Sequence, residues 1–429
     1  MTKTLSRATT LRNKESALPV FGLTVREPGA FAFCPALRGF ETGDSKMKKK
    51  LLALFLAAVM LLGIFACAAP GSAAGKNGQT PGDFTKLAMT YLTYIGKNLK
   101  DRDIVADGAK APKGSAHIAT RKWIISELKN AGYKPEQIAK KEFLFQEKGK
   151  HFTGKNIVLK IPGANSDHTV IAGAHYDGSG LGDNGSGLAL LLATAVSMAG
   201  EALPYDTVFV FFDAEENGFI GSQAFVSTMH LKNIRNTLYM VNLDSLVFGD
   251  YCNLYGGVQN NSKRKVTKTD AYKLAMKKAA ALGMKTYPTK KLDGYYAKHH
   301  AGPPIEENAV YTNPWTYDNP APKNADYMSP STGDWGDHVP FKLAGIPYVY
   351  MEATNWYAKG DGGMDAYTGY FETLDKDLGE NGMFMNTKYD TLKDLNNLFP
   401  GRAEAHFRIF SPILTSLLRN PDSRAPSAG

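Results

Sequence analysis

Short apolar runs rich in β-branched and aromatic residues recur along the chain, separated by longer stretches with apolar residues at helical spacing. Residues 169–174 form one such run and predict a buried strand. Residues 188–199, longer and rich in Ala and Leu, predict a helix. Residues 141–145 and 156–161 predict strands. The run Thr-Val-Phe-Val-Phe-Phe between Asp206 and Asp213 is continuous, as expected of a strand buried on both faces. Residues 238–243 and 346–350 are two more. Phe84, Leu87, Ala88, Tyr91, Leu92, Ile95 and Leu99 follow a helical period. Residues 115–130 read as a second helix, capped by Ser115 and stopped at Gly132. Further helices are expected over about 218–229, 269–282 and 402–418. Strands alternating with helices predict one α/β/α domain over 83–420, built on a central, mostly parallel (mixed) sheet. Residues 251–335 depart from the pattern. After one helix they become loop-rich in Tyr, Pro, Asn and Trp, and read as an insertion that either walls a pocket or decorates the surface.

The candidate chemistry sits where the predicted strands end. Between the strand at 169–174 and the helix at 188–199 runs a Gly-rich turn from His175 to Gly187, carrying Asp177 and Asp183. Open α/β sheets bind ligands at that edge. His175 and Asp177, two apart in an extended chain, share a face, so the His can ligate a metal while the carboxylate fixes its tautomer. Asp183 is free to be a further ligand. After the strand ending at Phe212 come Asp213-Ala214-Glu215-Glu216-Asn217-Gly218. Adjacent carboxylates on a loop diverge, so one can hold a metal while the other acts as a base; the alternative is an ordinary acidic first helical turn. Asn242-Leu243-Asp244 and Trp335-Gly336-Asp337-His338-Val339-Pro340-Phe341 bring further acids and a His to the same edge. Oxygen and imidazole donors without cysteine suit a catalytic zinc site.

Composition changes the picture at the N-terminus. The chain of 429 residues has a formal net charge of +9. Ten Lys/Arg against four Asp/Glu up to Ala66 account for +6 of it. The remainder argues against nucleic acid as a partner, and no basic stripe with interleaved aromatics stands out. Lys48-Lys49-Lys50 followed by the apolar run at 51–69 predicts an exported bacterial protein with a signal peptide over 47–67, or an uncleaved membrane anchor. Ile64-Phe65-Ala66-Cys67 resembles a lipobox, so the expected location is extracellular, lipid-anchored through Cys67 or freely secreted. Membrane contact is expected only through that signal or lipid. Residues 1–46 fit no pattern and suggest that the true start is Met47. Residues 68–82 read as a Gly/Ala/Ser linker and 421–429 as a disordered tail. With only Cys34, Cys67 and Cys252 present, loss of the leader and lipidation of Cys67 would leave Cys252 without a disulfide partner.

Taken together, His175-x-Asp177, Asp183-Asn184-x-Ser186-Gly187, Glu215-Glu216, Asn242-Leu243-Asp244 and Asp337-His338-x-Pro340-Phe341 resemble the co-catalytic di-zinc exopeptidases, a family that includes secreted bacterial aminopeptidases and glutaminyl cyclases. Glu352-Ala353-Thr354-Asn355-Trp356 and Pro400-Gly401-Arg402 are similar to its periplasmic branch that trims N-terminal Arg. The resemblance implies the zinc exopeptidase fold, two Zn2+ ions, and peptide or protein N-termini as substrate. It implies that His175 and Asp244 hold one zinc, Asp183 bridges, Glu216 binds the second, Glu215 is the general base and Asp177 orients His175. One position departs. Where the family closes its second site with His in a His-Thr-x-x-Asp pattern, this chain has Asn386-Thr387-Lys388-Tyr389-Asp390, and Asp390, His338 or the His299-His300 pair are the candidate replacements. Two alternatives remain beside a zinc aminopeptidase: a single-zinc cyclase-like acyltransferase, and a binding relative without catalysis.

Overall fold

The computed structural model describes residues 83–260, 265–267, 270–287, 304–312, 335–354 and 384–421. The predicted leader, signal peptide, lipobox and linker lie outside these residues. So do His299, His300, Asn355, Trp356, much of the predicted insertion and nearly all of the tail.

Ten strands and nine α-helices are found among the described residues. The chain enters through helices α1 (Thr85–Asn98) and α2 (His117–Asn130). Strands β1 (Ile138–Glu147), β2 (Lys150–Ile161) and β3 (Asn165–His175) follow, then helix α3 (Gly185–Ser197) and strand β4 (Tyr205–Phe212). Helices α4 (Ile220–Ser227) and α5 (Leu231–Asn236) lead to β5 (Thr237–Leu243), β6 (Tyr251–Asn260) and β7 (Lys265–Thr267). Helix α6 (Asp270–Ala281), the short strands β8 (Lys285–Thr286) and β9 (Ala309–Val310), helix α7 (His338–Leu343) and strand β10 (Tyr348–Thr354) come next. Helices α8 (Leu392–Leu398) and α9 (Arg402–Arg419) end the described chain.

Eight strands form one mixed sheet in the order β1-β2-β4-β3-β5-β10-β6-β7. Its four central strands, β4, β3, β5 and β10, are parallel, and the flanking pairs are antiparallel. Period-two alternation divides the core between two faces. Val170, Ala172 and Ala174 join Phe209, Phe211, Val241 and the helices α1, α3 and α9 on one side. Ile171, Val210, Phe212 and Met240 meet Phe225, Phe341 and Ile346 on the other. Helix α3 is apolar on every side, and all but its last two residues are buried, because it lies between the sheet and other helices.

Two expectations are corrected. The second helix starts two residues later than predicted, with Ala116 rather than Ser115 at its cap and no capping side chain. Ser115 is instead drawn into a bridge with Asp101. The segment from Tyr251 does not begin as an insertion. It opens with β6, which pairs antiparallel with β10 over seven residues and buries Tyr251, Cys252, Leu254 and Tyr255. Tyr, Cys and Gly in that run hid its strand character, since no continuous aliphatic stretch marks it. Cys252 is buried as a free thiol, and Cys34 and Cys67 lie outside the described residues.

Candidate metal centre

The polypeptide leaves β3 towards β4 on one side and later reaches β5 on the other, so the carboxyl end of β3 lies at a topological switch point. His175 is the last residue of β3. Glu215 and Glu216 follow β4, Asp244 follows β5, and Asp183 precedes α3. Three turns of separate origin, after β3, β4 and β5, thereby deliver these side chains to one edge.

His175 is almost wholly enclosed. Its Nε2 lies 3.0 Å from Asp183 Oδ1, 3.7 Å from Asp244 Oδ1 and 3.8 Å from Glu215 Oε2. Its Nδ1 lies 3.4 Å from Asp177 Oδ1. Two sets of potential ligand atoms converge: His175 with Glu215 and Asp244, and His175 with Asp183 and Glu216. Every sequence-predicted site residue is therefore brought together, Asn386 included. Its Nδ2 donates to Asp183 Oδ2 at 2.9 Å. Asn386 has φ of 55°, a left-handed conformation that Asn tolerates better than most residues.

The motif residues that carry no chemistry hold the frame. Asn184 caps α3 by accepting from Gly187 N, and its Nδ2 donates to Leu243 O at 2.8 Å, which ties the Asp183 turn to the end of β5. Ser186 Oγ donates to Gly182 O and accepts from Leu246 N. Gly178 has φ of 86°, and a Cβ there would stand 2.6 Å from Glu216 Oε1. Asp177 does more than face His175. Its two oxygens accept from Glu215 N and Glu216 N, each at 3.2 Å.

None of the candidate replacements for a second-site His joins the metal sets among the described residues. Asp390 spends its oxygens on the backbone N–H groups of Gly182, Asp183 and Asn386, at 2.6, 3.4 and 3.3 Å. His338 is stacked against Tyr350 at 4.9 Å and packs on Tyr348 at 4.6 Å. Arg102, which no motif announced, is buried and donates to the carbonyls of Leu99, Tyr176 and Gly180, clamping the turn from below.

The electrostatics are those of a cation site. Burial pushes Glu215 well above the usual carboxylate range; His175 opposes this, while Asp337, Asp244 and Asp183 add to it. Burial likewise raises Glu216 to about 8, with Asp183 adding to it. Asp337 rises to about 7 by burial, against the pull of His175. Burial depresses His175, but the surrounding carboxylates outweigh it and hold the imidazole well above its ordinary value. Like charges gathered out of water repel one another, and a divalent cation relieves that repulsion. Both ring nitrogens of His175 are buried and face carboxylate oxygens, Nδ1 that of Asp177 and Nε2 that of Asp183, an arrangement that suits a metal-binding imidazole with an orienting carboxylate behind it. The residues fit zinc.

A parallel-centred α/β/α sheet thus presents imidazole and carboxylate donors, without thiolate, at its carboxyl edge, a set that suits zinc. Residues 156–299 match Peptidase family M28, a zinc exopeptidase family, and that stretch carries His175, Asp177, Asp183, Glu215, Glu216 and Asp244. The resemblance to co-catalytic zinc exopeptidases is thereby borne out. A probable lipoprotein aminopeptidase of Mycobacterium tuberculosis is 35% identical over 100 residues, covering 22% of this chain and 20% of that protein. The alkaline phosphatase isozyme conversion protein of Escherichia coli is 26% identical over 241 residues, 56% of this chain and 58% of that protein. The chain thus spans from a fifth to somewhat over half of these relatives. A solved Acidobacteriales bacterium glutaminyl cyclase shares the fold, with a TM-score of 0.53 at 14% identity over 82% of this chain and 99% of that chain.

Proposed function

We propose that this protein is an exported zinc aminopeptidase that removes N-terminal residues from peptides or proteins. One observation carries the reading: a buried imidazole, His175, whose Nε2 faces three carboxylates from three different turns, beside a second carboxylate pair member, Glu216. His175, Asp183 and Asp244 would hold the first zinc, and Asp183 with Glu216 the second. When bound, zinc polarises the scissile carbonyl and makes water a nucleophile near neutral pH.

Glu215 is the general base. Its raised proton affinity suits a group that takes a proton from water and passes it to the leaving amine. Asp177 holds the Glu215 backbone through one oxygen and faces His175 Nδ1 from the same carboxylate, so base and ligand share one anchor. Asn386 occupies the second oxygen of Asp183 with an amide donor. That contact weakens the second zinc site, and it is the observation that favours a one-zinc, cyclase-like acyl transfer as the second reading.

Export is part of the proposal. It rests on the basic and apolar run ahead of Cys67, and a lipoprotein aminopeptidase and a phosphatase-converting protein stand among the relatives. We place the catalytic unit at 83–420, after a signal peptide ending at Cys67 and a linker. Purified protein should release amino acids from aminoacyl amides, lose that activity on chelation and regain it with zinc. Cyclisation of N-terminal Gln without hydrolysis would favour the second reading. Activity that survives exhaustive chelation would overturn both.

A further inference from the structure

Beneath the metal-facing side chains lies a second buried cluster that takes no part in the chemistry described so far. Asp213, the first residue after β4, is fully buried. Its Oδ1 is 2.7 Å from His117 Nε2 and accepts from Ala214 N at 3.0 Å. Its Oδ2 accepts from Tyr176 Oη at 2.6 Å and from Lys155 N at 2.8 Å, with Arg121 Nη1 3.6 Å away. Its own N–H donates to Asn156 Oδ1 at 3.0 Å, and Asn156 Nδ2 donates to Gly221 O at 2.7 Å. His117 stacks on Tyr176, ring centroids 5.4 Å apart. Gly221 is a close-approach position, since a Cβ there would lie 2.1 Å from Asp213 O.

The sequence positions give this cluster its meaning. Tyr176 stands between His175 and Asp177. Asp213 stands two residues before Glu215. One carboxylate therefore joins the segment that carries the imidazole to the segment that carries the two glutamates, and fastens both to β2 and to the first turn of α2. Burying a carboxylate this completely is costly, and partners on both oxygens offset the cost. A core that needed only stability would be served as well by apolar residues of the same volume. Ala214, held between Asp213 and Glu215, has φ of 56°, a conformation that an alanine does not adopt without being held.

Resting on the reading of the site as a zinc peptidase, we propose that Asp213 is a positioning residue, which through Tyr176 and His117 sets the spacing between His175 and the Glu215-Glu216 pair. It touches neither metal nor substrate. An Asn in its place presents an amide NH2 to N–H and O–H donors on one side or the other, so Asp213→Asn breaks half of the cluster while keeping its shape. Tyr176→Phe removes a single hydroxyl and leaves the ring stack in place.

The test compares Asp213→Asn and Tyr176→Phe with Tyr239→Phe, a variant on the same scale of disturbance. Tyr239 Oη donates to Leu417 O at 2.8 Å, away from the metal-facing residues. Three readouts are taken on the full chain: zinc affinity by chelator competition, kcat and KM separately, and amide hydrogen exchange of the 214–217 segment in metal-free protein. Both cluster variants should bind zinc ~10–100-fold more weakly, the usual scale for groups that orient metal ligands. They should lower kcat more than they raise KM and speed exchange at 214–217. Tyr239→Phe should do none of these. If Asp213→Asn does not fold, Tyr176→Phe still reads all three. Cluster variants that match Tyr239→Phe in zinc affinity and in exchange overturn the proposal. A wild type that neither binds zinc nor cleaves peptides overturns the functional reading instead, and the exchange comparison in metal-free protein still tests the positioning role.

Discussion

Replacing Asp177 by Asn isolates what its charge does, because the side chain keeps its size and is 1% exposed. The carboxylate accepts from Glu215 N and Glu216 N at 3.2 Å each and faces His175 Nδ1 at 3.4 Å. An amide can accept through one atom only, so one of the two backbone N–H groups then meets an NH2. A hydrogen bond to a charged acceptor contributes about 1.5–3 kcal/mol, and a buried donor left without a partner costs about 1–3 kcal/mol. Some relaxation of the 214–217 turn offsets part of this, so we expect metal-free stability to fall by about 2–4 kcal/mol. Loss of the charge behind His175 should weaken zinc binding by ~10–100-fold. Urea unfolding of the metal-free variant gives the first quantity, and competition with a chromophoric chelator gives the second. Zinc affinity within twofold of wild type would refute the idea that Asp177 anchors both the imidazole and the glutamate turn.

Three further outcomes are expected. Calorimetric zinc titration of the wild type should show one tight ion, because Asn386 offers no imidazole and its amide donates to Asp183 Oδ2, and Asn386→His should add a second tight event; two tight ions in the wild type would contradict this. Metal-free protein should lose stability as pH rises from about 4.5 to about 8: Asp337 and Glu216 have folded proton affinities raised to about 7 and about 8, so the folded state binds more protons than the unfolded state in that window, and zinc should abolish the trend; a melting temperature that rises across the window without metal would refute the assignment. Cys67→Ser should release the protein from membranes into the soluble fraction, and a mature chain that still begins at Met1 would contradict the export proposal.

Much of this arrangement was legible in the sequence because strand burial and site chemistry leave local marks. The run Thr-Val-Phe-Val-Phe-Phe could only be a strand with both faces covered, and residues placed just after such strands land on one edge. Asp183, Glu215, Glu216 and Asp244 were readable for that reason. Strand β6 was not, since its burial comes from Tyr and Cys packed against β10 and a neighbouring aromatic cluster, a tertiary circumstance without a periodic signature. Arg102 was equally silent. It acts on main-chain groups of the 176–180 turn from far along the chain, so no local spacing points to it. Asp390 was visible as a candidate ligand, but its hold on the backbone N–H groups of Gly182 and Asp183 was not. The second role of Asp177, holding two backbone amides, follows only from how the turns after β3 and β4 meet.

The central claim is that Glu215 moves the proton while its neighbours hold the metal. It is tested most directly by measuring zinc content and turnover together in Glu215→Gln. The amide keeps the shape of the side chain, and the account predicts full zinc occupancy with turnover lower by about a hundredfold or more. Loss of zinc with Glu215→Gln, or unchanged turnover with zinc retained, would contradict the account.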